Sequence, residues 1–429
     1  MRALSLSILS LLICSPAFAK TEVNFWHAMS GDLEKSLNEL VAGYNKSQDK
    51  VEIKPVFKGN YTETLNAAIA AYRGNKAPHL VQVFEVGTQT MMNSQAIIPV
   101  QDLMEQSGVK INWSDFVAPV LSYYQDKNGK LMSMPFNSSS PIMYFNKDLM
   151  KKAAIKAPPK TWQDLYKFSE QAVKAGAACG TVIGWQPWVL VENFSAIHDV
   201  PFATLDNGYG GVNAELKFNS PQVIKNIETL QSMMKSKAFV YEGRRSDPGQ
   251  IAFSAGRCAF FLDSSGDIST MKAANKFAWG AAPLPYNEGI KPRNSIIGGA
   301  TLWVFKGHPA EENKAVADFI RYLGQVPAQE QWHKATGYLP ITNTAYKKLK
   351  KEGYYKTSPE QEVAILQLMR GKPGPNTRGI RLGGFTQVRE IMDEEMENIW
   401  AGKSSAREGM DSAVERGNRV LQQFAKTVQ

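Results

Sequence analysis

The sequence has few of the residues that hold metals or build disulfide networks. Only three cysteines occur in 429 residues, too few for a disulfide framework or a four-thiolate zinc site. No two of the five histidines lie at metal-ligand spacing. The G-x-S-x-G turn of serine hydrolases is absent, and Gly402-Lys403-Ser404 lacks the first glycine of a phosphate-binding loop. These absences favour non-covalent binding over catalysis.

Long apolar runs are also scarce. Beyond residues 3–13, no run approaches the roughly 20 apolar residues that a membrane-spanning helix needs. That first run follows a positively charged start and precedes a small-residue cleavage pattern ending at Ala19. A lipoprotein signal at Cys14 is the weaker alternative, because a bulky Ile precedes the cysteine. We therefore expect residues 1–19 to be a signal peptide.

Export of the chain changes what the remaining cysteines can do. Without Cys14, the mature protein keeps Cys179 and Cys258 in an oxidising compartment, where a disulfide is chemically permitted. A bridge also requires the two Cα atoms to lie close together, which the sequence does not show. One disulfide and two separate buried thiols are both open.

The excess of positive charge is modest and unfocused. Lys and Arg number 49 against 40 Asp and Glu, a formal net charge of +9. Nucleic-acid binding would need basic clusters interleaved with aromatic residues. The densest basic run, residues 347–351, lies beside Glu352 and is typical of a solvated helix face. The charge allows a small anion as ligand, and we expect no nucleic-acid partner.

Hydrophobic periodicity predicts an α/β fold. Helices are predicted after Ser30 and Thr161, at 62–73 and 221–235, and through most of the last third of the chain. The early alternation of strands and helices is typical of a parallel sheet covered by helices, which binds ligands at its carboxyl edge. A hydroxyl-rich break at residues 137–141 is a candidate hinge or ligand loop. Strands are predicted at 22–27, 51–57, 79–85, 131–136, 142–145, 181–185, 257–262, 277–284 and 300–305.

Short motifs along the chain carry a resemblance to a known family. The chain resembles the periplasmic sn-glycerol-3-phosphate binders of gram-negative ABC importers, a subgroup of the maltose-binding-like extracellular solute-binding proteins, from about residue 23 to residue 425. The motifs, in chain order, are Phe25-Trp26-His27, Lys58-Gly59-Asn60-Tyr61, Glu85-Val86-Gly87-Thr88, Pro135-Phe136-Asn137-Ser138-Ser139, Gly184-Trp185-Gln186-Pro187-Trp188, Ile296-Ile297-Gly298-Gly299-Ala300, Thr336-Gly337-Tyr338-Leu339-Pro340-Ile341-Thr342 and Arg381-Leu382-Gly383.

The resemblance implies a two-lobed, type II periplasmic binding protein with a ligand cleft between the lobes and a helical C-terminal region. Lobe 1 would comprise residues 20–138 and 299–350, and lobe 2 residues 139–298 and 351–429. The implied ligand is glycerol-3-phosphate or a glycerophosphodiester such as glycerophosphocholine, and the implied partners are ABC importer membrane subunits. A periplasmic monomer without catalytic residues, cofactor or metal is expected.

Eight positions match the binding residues of the family in residue type. The resemblance implies that Arg389, Gly299 and hydroxyl groups meet the phosphate, that Glu85 and Tyr61 meet the glycerol end, and that a tryptophan covers its C–H edges. The full implied set is Tyr61, Glu85, Ser139, Trp185, Ser264, Gly299, Tyr338 and Arg389.

Each of these residues also has a purely structural interpretation. Arg389 could pair with Glu390 or Asp393 on its own helix, and Glu85 could be a solvated strand end. The serines could form turns, Gly299 could mark a bend at a crossover, and the aromatic residues could be core. A sugar-binding protein of the same fold and a secreted phosphodiester hydrolase are the alternative functions.

Overall fold

The computed structural model describes residues 20–428, so the predicted signal peptide at residues 1–19 lies outside it. Two mixed β-sheets, each covered by helices, organise this part of the chain. Within it, no helix combines the length and apolar character needed to span a membrane. The strands are β1 Thr21–His27, β2 Val51–Phe57, β3 Leu80–Phe84, β4 Ile97–Ile98, β5 Met134–Ser139, β6 Pro141–Asn146, β7 Cys179–Ile183, β8 Phe239–Val240, β9 Cys258–Ser264, β10 Trp279–Pro283 and β11 Gly298–Phe305.

The predicted helices after Ser30 and Thr161 and at 62–73 and 221–235 all occur, but the short helices between them were not predicted. Thr161 caps its helix through a reciprocal capping box with Asp164, which satisfies two backbone N–H groups at the helix start. The α-helices are α1 Gly31–Ser47, α2 Tyr61–Arg73, α3 Thr88–Asn93, α4 Val100–Gln106, α5 Ala118–Tyr123, α6 Lys147–Lys152, α7 Trp162–Lys174, α8 Phe194–Ile197, α9 Thr204–Asn207, α10 Pro221–Met233, α11 Ser246–Ser254, α12 Ile268–Ala274, α13 Ala310–Leu323, α14 Val326–Thr336, α15 Asn343–Lys351, α16 Tyr354–Thr357, α17 Val363–Leu368, α18 Phe385–Trp400 and α19 Ala406–Val428.

The first sheet has the order β2-β1-β3-β11-β4, and β5 also pairs with β11. Strands β1, β2 and β3 are parallel, as the early alternation of strands and helices predicts. The sheet as a whole is mixed, because β11, which comes much later in the chain, joins β3 antiparallel. Local periodicity carries no information on the direction in which a strand more than 200 residues away returns to the sheet.

The second sheet has the order β10-β6-β9-β7-β8 and contains the disulfide. Cys179 opens β7 and Cys258 opens β9, and the two residues face each other in a parallel pair with their Cα atoms 4.5 Å apart. The sulfurs are bonded to each other. Of the two possibilities left open by the sequence, the bridge is therefore the one that occurs.

The chain crosses between the sheets at Ser140, the single residue that separates β5 from β6. The predicted break at 137–141 is thus wrong in extent, because Asn137 to Ser139 continue β5 and pair with β11. The Ser140 hydroxyl lies 2.7 Å from that of Ser295 and accepts a hydrogen bond from Gln367. A second crossing lies between β10 and β11. The lobe boundaries predicted at 138/139 and 298/299 stay predictions.

Candidate functional site

One cleft of about 580 Å³ receives residues from both sheets and from the helical C-terminal region. The carboxyl end of β3, the ends of β5 and β9, and the start of β11 all reach it. All eight residues predicted from the resemblance line this cleft: Tyr61, Glu85, Ser139, Trp185, Ser264, Gly299, Tyr338 and Arg389.

Glu85 follows β3 directly and begins a short 3-10 turn, Glu85–Gly87. All five residues of β3 are buried, so its end carries the carboxylate into the protein, and only 5% of Glu85 is exposed. Burial raises the pKa of Glu85, while the Arg389 guanidinium acts to lower it. The interpretation of Glu85 as a solvated strand end is therefore wrong.

Arg389 is held by two buried carboxylates. Its Nε and Nη2 donate to the two oxygens of Glu192 at 2.8 Å, and Nη2 also donates to Glu85 at 2.7 Å. Arg389 is 8% exposed, and neither Glu390 nor Asp393 is its hydrogen-bonding partner, so the interpretation as an ion pair on its own helix is wrong. One edge of the guanidinium is fully used by Glu192.

Glu192 is a member of this cluster that sequence reasoning missed. It lies in the π-helical segment Pro187–Asn193, in which every residue is buried. A carboxylate inside an otherwise mostly apolar run such as Trp188–Phe194 needs a buried cation as its partner. The position of Glu192 in this run is therefore the sequence feature that could have predicted the ion pair. Burial acts to lower the pKa of Arg389, but the combined effect of Glu192 and Glu85 is larger and raises the pKa, so the guanidinium stays charged.

Two stacked aromatic pairs support the phenols of the cleft. Tyr61 stacks on Phe84 with ring centroids 5.3 Å apart, and its hydroxyl accepts a hydrogen bond from Asn137 at 2.8 Å. Tyr338 stacks on Trp332 at 5.8 Å. Burial raises the pKa of both phenols. Both therefore keep their protons at neutral pH, and each tyrosine packs against a ring while lining the cleft.

Gly299 has a conformation that only glycine adopts readily. Its φ is +88°, and a Cβ placed there would lie 1.9 Å from the Asn137 carbonyl oxygen. Ser139, the last residue of β5, pairs with Gly298 one position before. Gly299 thus marks the crossover and also lines the cleft.

Ser264 ends β9 and uses its hydroxyl oxygen to accept from the Gly266 N–H at 3.0 Å. The structural interpretation of Ser264 as a turn-forming residue is therefore correct. Its own O–H proton is not engaged by that bond, because a hydroxyl both donates and accepts. Ser264 also lines the cleft, so the turn orients a donor.

Trp185 and Arg245 form part of the second sheet's side of the cleft. Trp185 is only partly buried and has φ +43°, a left-handed conformation that is rare for a bulky side chain. A conformation of this kind persists only where the surrounding structure holds the residue in place. The guanidinium of the exposed Arg245 lies 5.9 Å from the Trp185 ring centroid. Sequence reasoning missed Arg245, which carries no local signal.

Sequence reasoning also missed two carboxylates at the wall of the cleft. Asp267 lines the cleft and accepts from Gln250 at 2.8 Å and from Ser246 at 3.1 Å, and burial raises its pKa to about 7. Asp263 is fully buried, and burial and the neighbouring Asp267 raise its pKa well above the usual range. Both groups lower the capacity of this wall to hold an anion when they ionise.

One cluster away from the cleft has the composition of a metal site. Glu312 lies 2.8 Å from His79 Nε2 and 3.4 Å from His308 Nδ1. The Asn24 N–H, however, donates to His79 Nδ1 at 3.0 Å, so the proton of the neutral imidazole is on Nε2. That nitrogen donates to Glu312 and has no lone pair for a metal ion.

Comparisons with known proteins agree with this architecture. The model of the bacterial extracellular solute-binding protein family matches residues 39–360. The sn-glycerol-3-phosphate-binding periplasmic protein of Pectobacterium atrosepticum is 44% identical over 421 residues, which cover 97% of this chain and 95% of that protein. The protein of the same name from Salmonella typhimurium is 43% identical over 423 residues, covering 97% and 96%.

Solved structures show the same fold at low sequence identity. UgpB from Mycobacterium tuberculosis, in complex with glycerophosphocholine, has a TM-score of 0.77 and 20% identity and covers 94% of this chain and 99% of its own. The GacH receptor of Streptomyces glaucescens has a TM-score of 0.79 and 18% identity and covers 95% and 100%. The two-lobed α/β fold is confirmed, and so is the resemblance: this chain belongs to the bacterial extracellular solute-binding proteins.

Proposed function

We propose that this protein binds sn-glycerol-3-phosphate in the periplasm and delivers it to the membrane subunits of an ABC importer, with glycerophosphodiesters such as glycerophosphocholine as further ligands. The observation that carries the proposal is the convergence on one cleft of all eight residues that match the family's binding positions. The 43–44% identity to sn-glycerol-3-phosphate-binding periplasmic proteins over nearly the full chain supports the ligand.

The phosphate is met by neutral donors near the crossover. Ser139, Ser264 and Tyr338 each offer a hydroxyl, and the Gly299 backbone lines the same cleft. Arg389 contributes charge, but the edge bound to Glu192 is not available to the ligand. Arg389 can therefore offer the phosphate fewer hydrogen-bond donors than a free guanidinium would.

The glycerol end is met by acceptors and an aromatic face. Glu85 uses Oε1 on Arg389, which leaves Oε2 to accept from a glycerol hydroxyl. The Tyr61 hydroxyl lies on the same side of the cleft, and Trp185 covers the C–H edges. Inorganic phosphate has no glycerol hydroxyl for Glu85 Oε2 and would leave that oxygen without a partner in a closing cleft, which disfavours its binding.

Binding is coupled to transport through closure of the cleft. The donors come from both sheets: Ser139 ends a strand of the first, and Ser264 ends a strand of the second. A ligand that touches both lobes stabilises the closed state by its higher affinity for that state. The protein acts as a carrier and not as an enzyme, in keeping with its solute-binding relatives.

Isothermal titration of refolded, ligand-free protein tests the ligand. Glycerol-3-phosphate and glycerophosphocholine are titrated in parallel with maltotriose as the sugar probe. Heat with a glycerol phosphate and none with the sugar is expected, whereas heat with maltotriose alone would replace the proposal with a sugar binder.

The alternative of a hydrolase is tested separately by phosphorus NMR. Glycerophosphocholine incubated with the protein should stay intact over many hours. Free glycerol-3-phosphate formed at catalytic turnover would show that the protein is an enzyme. Mass spectrometry of the ligand released from freshly purified protein identifies what the cleft holds in the cell.

A further inference from the structure

The cleft carries more negative than positive groups, although the whole chain has a formal net charge of +9. Its lining includes two guanidinium groups, Arg245 and Arg389. Four carboxylates share it: Asp32, Glu85, Asp247 and Asp267. A phosphate dianion that enters this cleft therefore needs a cation whose charge is not already compensated.

Arg389 does not meet that need. Glu192 and Glu85 place two carboxylates on one guanidinium within 2.8 Å, so the buried cluster has a net negative charge when all three groups are ionised. A phosphomonoester, with a second pKa of about 6, is largely a dianion above neutral pH. Its approach to this cluster alone would add like charge in a water-poor site.

Arg245 has the opposite environment. It precedes α11 at the cleft edge and is exposed. Among residues 20–428 it forms no ion pair, whereas its neighbour Arg244 donates to Glu397 at 2.6 Å. The nearest aromatic face is that of Trp185, with 5.9 Å from the guanidinium to the ring centroid. Arg245 thus has no ion-pair partner among these residues, although its charge acts to lower the pKa of Asp393. The next residue, Ser246, donates to Asp267 at 3.1 Å, in the turn that follows Ser264, so Arg245 lies near the end of β9 that carries the Ser264 hydroxyl.

We propose that Arg245 is the cation that compensates the ligand phosphate, and that it sets the preference for phosphomonoesters over phosphodiesters. This inference rests on the proposed function. A monoester dianion gains two favourable charge interactions with Arg245 where a diester monoanion gains one. Charges are attracted in proportion to their product, so the loss of Arg245 costs the monoester more.

The test uses Arg245→Ala with Arg244→Ala as the matched control. Both changes remove one arginine from the same loop, but Arg244 does not line the cleft. At pH 8, Arg245→Ala should weaken glycerol-3-phosphate binding about tenfold, or ~1.4 kcal/mol, and binding of a monoanionic phosphodiester, glycerophosphoglycerol, about threefold. Arg245→Lys should restore most of the lost affinity, because it restores the charge.

The outcomes separate this inference from the function it rests on. If wild-type protein binds neither glycerol phosphate, the proposed function is wrong. If wild type binds and Arg245→Ala stays within twofold for both ligands, or loses both equally, the role of Arg245 is refuted. At pH 5 glycerol-3-phosphate is a monoanion, and the difference between the two ligands should largely disappear. A difference that persists unchanged at pH 5 would also contradict the charge argument.

Discussion

Replacement of Arg389 by alanine is predicted to destabilise the ligand-free protein strongly at pH 8. The substitution removes the guanidinium that Glu192 and Glu85 share at 2.7–2.8 Å. Glu192 is 2% exposed and Glu85 5%, so both carboxylates are largely shielded from water and lose their main partner. Breaking a buried ion pair by removing one member costs about 3–5 kcal/mol.

The cost should depend on pH with a definite sign. Without the guanidinium, burial raises the pKa of Glu85 in the folded state further above the ordinary carboxyl value of about 4.3. The folded variant then binds more protons than the unfolded chain, so its stability falls as the pH rises. The deficit relative to wild type should be largest at pH 8 and shrink toward pH 4–5.

Urea unfolding followed by tryptophan fluorescence at both pH values provides the measurement. Arg419→Ala is the control, because its ion pair with Glu415 is exposed and worth at most about 1 kcal/mol. Arg389→Lys keeps the charge but loses the fork, and an intermediate stability is expected. A loss below 1 kcal/mol at pH 8, or a loss equal at both pH values, would refute this account of the cluster.

Two further perturbations act on the backbone and the covalent frame. Gly299→Ala should destabilise the protein more than Gly307→Ala. Both glycines have positive φ, and an alanine in that conformation costs about 1–2 kcal/mol of stability. Only at Gly299 does the new Cβ also meet a carbonyl oxygen, at 1.9 Å. Thermal unfolding compares the two variants, and equal losses would contradict the steric argument. Cys258→Ser should cost about 2–5 kcal/mol of stability. Reductant should lower the stability of the wild type but not that of the variant. An unchanged stability of the wild type in reductant would contradict this prediction.

Local sequence patterns predicted the elements well because each pattern reports on one segment. The strand residues 51–57 and the capping residue Thr161 act within their own strand or turn. The convergence of Glu85 and Ser139 on one cleft followed from a family resemblance, which carries long-range information that periodicity lacks. The ligand roles of these residues stay predictions until binding is measured.

The sequence does not predict which charged groups meet in the site, and the reason is physical. The pairing of Arg389 with Glu192 joins residues 197 positions apart, and Asp267 became a cleft residue through the packing of α11 and α12. Formal net charge adds all groups wherever they lie, whereas a ligand responds to those within a few ångströms. Only the folded chain shows that a basic protein has an acidic cleft.

The single-residue crossing at Ser140 has a consequence for the order of events during binding. Rotation of one lobe against the other moves each atom in proportion to its distance from the axis. We expect the axis to pass close to this crossing and therefore close to Ser139 and Gly299, which lie in the paired ends of β5 and β11. We expect these residues to meet the ligand in the open and the closed state, while rim residues such as Arg245 arrive last. Stopped-flow mixing with Arg245→Ala should then show a nearly unchanged initial capture and a faster escape, whereas a change confined to the capture step would argue for another axis.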